Sequence, residues 1–263
     1  MTVSLSDYLN FATELAWQAG RLTLGYYQTD LRPEFKPDDT PVTIADRKAE
    51  ELIRARIEKR FPKHAIVGEE YGVTQTGVAG SGAPTHRWYI DPIDGTRSFV
   101  RGVPMYAVLI GLEVEGSVEV GVAYFPALGE MLSAARGLGC WWNGRPAHVS
   151  EKTRLQDGLL VHSDACSFEH YDREAAWRRL GAAAGFRAGW SDAYGHMLVA
   201  TGRAELMLDP VMNDWDCAPF PIILQEAGGY FGDWAGNPTI HAGEAISTTV
   251  ALLPQVLHLI HDA

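Results

Sequence analysis

Apolar residues recur every three or four positions in two N-terminal stretches, which is the spacing of amphipathic helices. The first runs from about residue 6 to residue 27. The second begins near Thr43, where Thr43-Ile-Ala-Asp46 has the form of a capping box, and it ends before Pro62. We expect the basic residues of this second helix to form its solvated side; they are Arg54, Arg56, Lys59 and Arg60.

Short apolar runs separated by glycine-containing turns follow, as is typical of β-strands. The pattern predicts strands at His64–Val67, Trp88–Ile90, Ala107–Leu112, Val118–Tyr124, Glu130–Ala134, Gly158–His162 and Ala204–Leu208. Helices are expected at His170–Ala184, Tyr194–Thr201 and Trp215–Ala227, and a flexible loop at Thr74–Pro84. We therefore expect an α+β layered protein, one compact unit whose halves, residues 1–150 and 151–263, meet near residue 150.

Composition and charge narrow the class of protein. The chain has 263 residues, 46% of them hydrophobic, which is enough for a large core and excludes disorder. A net charge of -11 argues against a function in binding nucleic acid or an anionic membrane. No apolar run is long enough to span a membrane, the N-terminus lacks the basic region of a signal peptide, and three unpaired cysteines indicate a reducing compartment. We expect a soluble cytoplasmic protein.

Three segments contain acidic residues that folding does not require: Gly68-Glu-Glu70, Asp91-Pro-Ile-Asp-Gly-Thr96 and Asp214-Trp-Asp216. Asp91 follows a buried-looking strand, and Pro92 should prevent further strand pairing. Asp91, Asp94 and the Ile93 carbonyl can direct oxygen atoms towards one point, and Mg²⁺ prefers oxygen ligands. The backbone N–H groups that follow Asp94 could bind a phosphate. A metal site next to a phosphate site is the hypothesis that this pattern favours.

Each segment also has a simpler explanation when it is taken alone. Asp-Pro-x-Asp-Gly is a good turn sequence, and Glu69-Glu70 could be a solvated pair. Asp214-Trp-Asp216 could cap the following helix. The order of the three segments along one chain is what indicates a common site.

Together these motifs resemble the inositol monophosphatase-like family of metal-dependent phosphatases. The resemblance rests on Trp88-Tyr-Ile-Asp-Pro-Ile-Asp-Gly-Thr-Arg-Ser-Phe99, with Gly68-Glu-Glu70 upstream and Trp215-Asp216 and Glu226-Ala-Gly-Gly229 downstream. It implies an αβαβα sandwich of the inositol monophosphatase and fructose-1,6-bisphosphatase type, a homodimer, and two or three Mg²⁺ ions per active site. The metal ligands that it implies are Glu69, Asp91, the Ile93 carbonyl, Asp94 and Asp216.

The resemblance also implies the catalytic and substrate-binding residues. Besides Glu69, Thr96 and Asp46 would be catalytic, as the pair that orients and helps to deprotonate the attacking water. The backbone of Gly95 and Thr96 would hold phosphate, and the substrate would be lined by Asp94, Asp192 and Asp209. Cations at such a site would make it attractive to an anionic substrate despite the net charge of -11.

Three stretches are most similar to the histidinol-phosphate phosphatase branch: Lys36–Thr43 with the following Ala45-Asp-Arg47, Arg97–Pro104, and Trp190–Tyr194 with Leu198–Gly202. By the same resemblance, inositol-specific members have a small apolar residue in place of Asp192. A carboxylate there suits the alkylammonium group of histidinol phosphate, and Trp190 or Tyr194 could stack on its imidazole. The alternative is that Asp192 only caps the helix expected at Tyr194.

The leading hypothesis is a Mg²⁺-dependent phosphomonoester hydrolase of histidine biosynthesis that acts on L-histidinol phosphate through direct attack of a metal-activated water. Alternatives are inositol-1-phosphate or broad-specificity hydrolysis, and a non-catalytic metal or phosphate sensor. Arg97 and Arg101 are expected to be solvated or to contact a second subunit, and the alternative is that they reach the phosphate. His162 and His196 are assigned no role.

Overall fold

The structure is a computed structural model that describes residues 3–37, 40–74, 85–190 and 192–261. The predicted loop at Thr74–Pro84 lies outside the described residues except for Thr74. The α-helices in these ranges are α1 (Leu5–Leu24), α2 (Ile44–Arg60), α3 (Thr96–Val100), α4 (Ser167–His170), α5 (Glu174–Ala183), α6 (Asp192–Ala200), α7 (Asp214–Cys217), α8 (Phe220–Glu226) and α9 (Leu253–His261). None of them is long and apolar enough to cross a membrane.

The strands form two large sheets and one short ribbon. The N-terminal strands are β1 (Glu34–Phe35), β2 (Pro41–Val42), β3 (Ala65–Gly68), β4 (Gly72–Thr74), β5 (His86–Asp94), β6 (Ala107–Val114), β7 (Ser117–Phe125), β8 (Glu130–Ala135), β9 (Cys140–Trp142) and β10 (Arg145–Pro146). The C-terminal strands are β11 (Leu159–His162), β12 (Phe186–Gly189), β13 (Leu206–Asp209), β14 (Gly229–Gly232) and β15 (Ala245–Thr249).

The first large sheet has eight strands in the order β10-β9-β8-β7-β6-β5-β3-β4, and the second has five in the order β12-β11-β13-β15-β14. In the first sheet, β3 and β5 run parallel, so their carboxyl ends lie at the same edge. In the second sheet, β12, β11 and β13 run parallel to one another. Strand β15 runs antiparallel to both of its neighbours, β13 and β14. Strands β1 and β2 pair as a separate ribbon.

Helices cover both sheets and produce five layers. Helices α1 and α2 pack on the outer face of the eight-stranded sheet, against residues such as Trp88 and Ile110. Helices α6 and α8 fill the space between the sheets, in a core that includes Leu109, Met197 and Ile223. Helices α5 and α9 cover the remaining face of the five-stranded sheet. This arrangement confirms the predicted α+β sandwich with αβαβα layers.

Two glycines let the connection between α7 and α8 approach the first sheet closely. An added Cβ at Gly111 would lie 2.7 Å from the Cβ of Ala218, and one at Gly121 would overlap the carbonyl oxygen of Pro219. Since Asp216 precedes this connection in α7, the close approach places an acidic residue from the second half of the chain against the sheet that carries Asp91.

Several predicted elements differ from the structure. The helix expected at Trp215–Ala227 is two helices, α7 and α8, because Pro219 and Pro221 have no backbone N–H to continue the hydrogen bonds. The helix expected at His170–Ala184 is interrupted where Asp172 has a φ of 59°. The prediction that the basic residues of α2 form its solvated side is wrong for Arg54, whose side chain is buried.

Strand β5 also differs from the expectation, since it continues beyond Pro92. Asp94 pairs with Ala107 of β6, and the register shifts between Asp91 and Asp94. The proline lies in this irregular stretch, where the missing N–H removes no regular ladder hydrogen bond.

Candidate active site

Glu69 and Asp91 lie at the carboxyl ends of two adjacent parallel strands. Gly68, the last residue of β3, pairs with Ile90 of β5, and the backbone N–H of Glu69 donates to the Ile90 carbonyl at 3.2 Å. The next residue of each chain segment is therefore an acid at the same edge of the sheet. Of the two side chains, Asp91 is buried and Glu69 is half-buried.

The irregular end of β5 presents further oxygen atoms at this edge. Asp91 Oδ1 accepts a hydrogen bond from the backbone N–H of Ile93 at 2.9 Å, which folds the chain back so that Asp94 follows one turn later. The carbonyl oxygen of Ile93 lies 3.0 Å from the Thr96 hydroxyl oxygen, whose single hydrogen can be donated to this carbonyl or to Asp46. Asp94 is buried, and its Oδ2 accepts from the backbone N–H of Ala193 at 2.9 Å.

Asp216 joins these residues from α7. Its Oδ2 accepts hydrogen bonds from the backbone N–H of Asn213 at 2.7 Å and from the Asn213 side-chain amide at 3.2 Å, so this acid helps to cap its own helix. One oxygen each of Asp91, Asp94 and Asp216 lies within 4.8 Å of the other two. Three carboxylates from distant parts of the sequence thus meet at one point.

Burial makes ionisation of this cluster unfavourable in the protein alone. Burial raises the pKa of Asp91 well above its usual value, and the negative charges of Glu69 and Asp216 raise it further. Burial also raises the pKa of Asp94 well above its usual value, and the negative charge of Asp192 raises it further. Burial raises the pKa of Asp216 to about 7. A bound cation would offset this mutual repulsion, because it would neutralise carboxylates that the fold holds together.

The donor set fits a hard divalent cation. The converging groups are carboxylate oxygens and a backbone carbonyl, which Mg²⁺ prefers, whereas zinc favours histidine and cysteine ligands. Asp91, Asp94 and Asp216 would hold such an ion, with the Ile93 carbonyl and Glu69 at the same cleft. In the structure, Glu69 lies outside the three-residue cluster and its Oε1 is paired with Lys36 Nζ at 2.8 Å.

Thr96 and Asp46 form a buried pair next to the cluster. The Thr96 hydroxyl donates to Asp46 Oδ1 at 3.1 Å, and Asp46 Oδ2 accepts from the backbone N–H of Thr43 at 2.9 Å. The second contact belongs to the capping box that begins α2, and it confirms the helix start predicted from the sequence. Burial raises the pKa of Asp46 to about 6, although hydrogen bonds from Thr43 oppose the shift.

Gly95 connects the metal ligands to α3 and faces Asp192. It has a φ of 78°, a left-handed conformation that glycine adopts without strain. An added Cβ would lie 3.0 Å from Asp192 Oδ2, so the Asp192 carboxylate reaches the backbone that precedes Thr96. Asp192 is the first residue of α6, which therefore begins two residues before the predicted Tyr194.

Asp209 and the two aromatic candidates lie differently with respect to the cleft. Asp209 is buried at the end of β13. Burial raises its pKa well above the usual value, and the negative charge of Asp192 raises it further. The Tyr194 ring packs edge-on against Phe125 at a centroid distance of 5.2 Å, and its hydroxyl accepts from Arg203. Tyr194 therefore packs against the core, while Trp190 is 40% exposed.

The cleft has a volume of about 190 Å³ and brings most of the predicted site residues together. Its lining comprises Thr40, Pro41, Glu69, Asp91, Ile93, Asp94, Gly95, Thr96, Arg97, Asp192, Asn213 and Asp216. Asp46 reaches the cleft through Thr96, and Asp209 lies outside the lining. Arg97, which the sequence suggested to be solvated or at a subunit contact, is exposed but lines the cleft.

Lys36 lies beside Glu69 near the cleft, and the sequence predicts no role for it. Its ammonium group contacts Oε1 of both Glu69 and Glu70 at 2.8 Å. Burial opposes its charge, but the hydrogen bonds to the two glutamates outweigh that effect and raise the pKa of Lys36. Its position in Lys36–Thr43, a stretch quoted for the resemblance, was the signal that could have identified it.

Comparison with known proteins identifies the family. The profile of the inositol monophosphatase family matches residues 4–262. The chain belongs to the inositol monophosphatase family. A protein named histidinol-phosphatase from Chlorobaculum parvum is 46% identical over 239 residues, or 90% of each chain. A protein named inositol-1-monophosphatase from Mesorhizobium japonicum is 32% identical, covering 88% of this chain and 87% of the relative.

A solved structure of an inositol monophosphatase from Anabaena has the same fold. It superposes with a TM-score of 0.84 at 30% identity, covering 97% of this chain and 95% of the other. The fold type expected from the resemblance is thereby confirmed. So is the enzyme class, since the chain is a phosphatase of the inositol monophosphatase family.

Proposed function

We propose that this phosphatase is Mg²⁺-dependent and acts on L-histidinol phosphate. The observation that carries the proposal is the convergence of the Asp91, Asp94 and Asp216 oxygens within 4.8 Å, beside the Thr96–Asp46 pair. The choice of substrate is supported by the 46% identity to a protein named histidinol-phosphatase and by the carboxylate of Asp192 at the cleft.

Mg²⁺ would be held by Asp91, Asp94 and Asp216, with Glu69 and the Ile93 carbonyl as further ligands. When bound, it supplies positive charge for the phosphoryl oxygens and lowers the pKa of a coordinated water. Two or three ions per site and a homodimeric assembly stay predictions, which titration calorimetry and sedimentation can test.

Thr96 and Asp46 would orient the water that attacks phosphorus. Because the Thr96 hydroxyl donates to Asp46, its lone pairs can accept a hydrogen bond from water. Asp46 can then take up a proton through Thr96, and a pKa of about 6 suits a general base near neutral pH. The backbone N–H groups of Gly95 and Thr96, at the start of α3, would bind the phosphate oxygens.

Asp192 would recognise the organic end of the substrate. Its Oδ2 lies against Gly95, so a phosphate held by this backbone would bring the substrate carbon chain past the carboxylate. Histidinol phosphate carries an alkylammonium that can form a charge-assisted hydrogen bond there, whereas inositol offers only hydroxyls. Asp209 would be a second carboxyl group behind Asp192 at the organic end of the substrate, and Trp190 would stack on the imidazole.

Inositol-1-phosphate is the second candidate substrate, because one relative of 32% identity is named inositol-1-monophosphatase. We expect kcat/KM to be higher for L-histidinol phosphate when phosphate release from both esters is measured side by side. Activity should depend on added Mg²⁺ and disappear with a chelator. A hundredfold preference for inositol-1-phosphate would overturn the substrate assignment, and Mg²⁺ uptake without release of phosphate from either ester would favour a sensor.

A further inference from the structure

One face of α2 carries two buried acids, only one of which has a role above. Asp46, Glu50 and Arg54 are spaced by four residues and therefore lie one above another on the helix. Asp46 contacts Thr96, whereas Glu50 is 0% exposed and lies one turn further from the start of the helix. A fully buried carboxylate is costly unless it is paired and hydrogen-bonded, so its partners indicate what it stabilises.

The partners of Glu50 belong to the turn that follows β3. Glu50 Oε2 accepts from the backbone N–H of Glu70 at 2.7 Å, and Oε1 accepts from the backbone N–H of Tyr71 at 3.2 Å. Its charge is balanced by Arg54, whose Nε donates to Oε1 at 2.7 Å. One side chain of α2 thus binds two consecutive amides of this turn.

Arg54 extends the same contact to the end of the turn. Its Nη1 donates to the Thr74 hydroxyl at 2.8 Å, and its Nη2 donates to the carbonyl oxygen of Gly72. Gly68 makes room for this pair, because an added Cβ would overlap Glu50 Oε1 and lie 2.8 Å from Arg54 Nη2. One ion pair therefore makes hydrogen bonds to four residues of the segment that follows Glu69, residues 70, 71, 72 and 74.

The turn matters for the site because Glu69 lies within it. The N–H of Glu69 is held by the Ile90 carbonyl, and the next two amides are held by Glu50. Ile90 directly precedes Asp91, and Glu69 and Asp91 both line the cleft, so this turn sets where the Glu69 side chain enters the site. A satisfied buried polar network of this kind fixes geometry.

We propose that Glu50, supported by Arg54, is a positioning residue that holds the Glu69 carboxylate towards Asp91. Helix α2 would then set both the Thr96–Asp46 pair and the metal ligand of the neighbouring turn. This inference rests on the proposed function, in which Glu69 binds Mg²⁺. Glu50 itself touches neither substrate nor metal.

Glu50→Gln tests the inference, because it keeps the size of the side chain but removes the charge that binds Arg54 and the two amides. We expect Mg²⁺ affinity, measured by calorimetry on the substrate-free protein, to fall by about 10- to 100-fold. Hydrogen exchange of the Glu70 and Tyr71 amides should become faster. Glu58→Gln, an exposed change on the same helix, is the matched control and should alter neither quantity.

A double-mutant cycle with Glu69→Gln separates positioning from general destabilisation. If Glu50 acts through Glu69, Glu50→Gln will not lower Mg²⁺ affinity further in the Glu69→Gln background. An equal loss of affinity in both backgrounds, or unchanged amide exchange in Glu50→Gln, would overturn the inference. If the single variant fails to fold, E50Q/R54M avoids leaving Arg54 as an unpaired buried charge and is measured in the same cycle.

The outcomes also distinguish this inference from the proposed function. Wild-type protein that takes up no Mg²⁺ would refute the proposed function and, with it, the role of Glu69 as a ligand. Normal Mg²⁺ uptake and phosphate release by the wild type, together with unchanged Mg²⁺ affinity in Glu50→Gln, would refute only the positioning role.

Discussion

The backbone N–H of Ala193 donates to Asp94 Oδ2 at 2.9 Å, although the two residues are 99 positions apart in the sequence. This hydrogen bond connects the first turn of α6 to one of the three clustered carboxylates. The neighbouring Asp192, which faces Gly95, is thereby fixed with respect to the metal site. Under the proposed function, substrate selection and metal binding share one rigid contact.

Asp192→Asn should change substrate preference. Asp192 has a φ of 56°, a conformation that asparagine tolerates, so the substitution removes the charge with little backbone strain. A hydrogen bond to a charged group contributes about 1.5–3 kcal/mol. Its loss should lower kcat/KM for L-histidinol phosphate by about 10- to 100-fold. The value for inositol-1-phosphate should change much less, and Asp30→Asn, at an exposed position, should change neither. Equal losses on both esters would contradict a role in recognising the ammonium group.

Thr96→Val should slow turnover without removing the metal. Valine has nearly the shape of threonine but cannot donate to Asp46 or accept from water, so kcat should fall by about 10²- to 10⁴-fold. Thr96→Ser retains the hydroxyl and should retain most of the activity. Calorimetry should show Mg²⁺ affinity close to that of the wild type in both variants. A Thr96→Val enzyme with normal kcat would exclude the pair from proton transfer.

The stability of the metal-free protein should fall as the pH rises from about 6.5 to 8.5. Burial raises the pKa of Asp216 to about 7, from an ordinary value of 3.8, so the folded protein binds a proton that the unfolded chain has already lost. A group of this kind stabilises the fold at low pH, and this stabilisation is lost as the pH rises through the folded pKa. The raised pKa values of Asp91 and Asp94 act in the same direction.

Histidines whose pKa is lowered by burial have the opposite effect, which extends to about one pH unit above their ordinary pKa of about 6.5, because the unfolded chain still binds part of their protons there. They are His64, His86, His162 and His196. Denaturant titrations at pH 6.5 and 8.5 with a chelator present check the prediction, and Asp216→Asn should show a weaker dependence. Added Mg²⁺ should stabilise the protein more at pH 8.5, since its ligands must be deprotonated. An unchanged pH dependence in Asp216→Asn would contradict the assignment, because the histidines contribute equally to both proteins.

The sequence predicted those features that depend on local chemistry. The capping box of Thr43 and Asp46 predicted the start of α2, and the apolar run before Asp91 predicted a strand there, although β5 continues irregularly to Asp94. The cluster with Asp216 was expected only through the family resemblance, because no local pattern brings α7 to the end of β5. That placement depends on close packing at Gly111 and Gly121.

Burial of individual polar residues could not be predicted in the same way. Glu50 and Glu51 are adjacent and chemically identical, yet Glu50 is fully buried while Glu51 is exposed and accepts from the Tyr71 hydroxyl. Likewise, Arg54 is buried although its position in a basic row suggested a solvated side chain. Glu50 and Arg54 are buried because the turn after β3 supplies backbone amides to Glu50 and a backbone carbonyl to Arg54. This turn is distant in sequence, so no local pattern in α2 predicts their burial.

Asp91→Asn should abolish turnover and leave the fold intact. Asparagine keeps an oxygen that can accept from the Ile93 N–H, so the turn after β5 should persist. It also removes a carboxyl group whose ionisation is made unfavourable by burial and by the charges of Glu69 and Asp216, so the metal-free variant should unfold at the same temperature as the wild type or higher. Loss of several kcal/mol of transition-state stabilisation corresponds to a fall in kcat of about a thousandfold or more.

Phosphate release at increasing Mg²⁺ and calorimetric Mg²⁺ uptake measure the two parts of this prediction, with Asp30→Asn as the exposed control. If Asp91→Asn unfolded at a lower temperature than the wild type in the presence of chelator, the Asp91 carboxyl group would stabilise the fold, contrary to this prediction. Full activity of Asp91→Asn at saturating Mg²⁺ would remove Asp91 from the metal site. Since Asp91 is one of the three acids whose oxygens lie within 4.8 Å of one another, that result would also argue against a cation shared by the three.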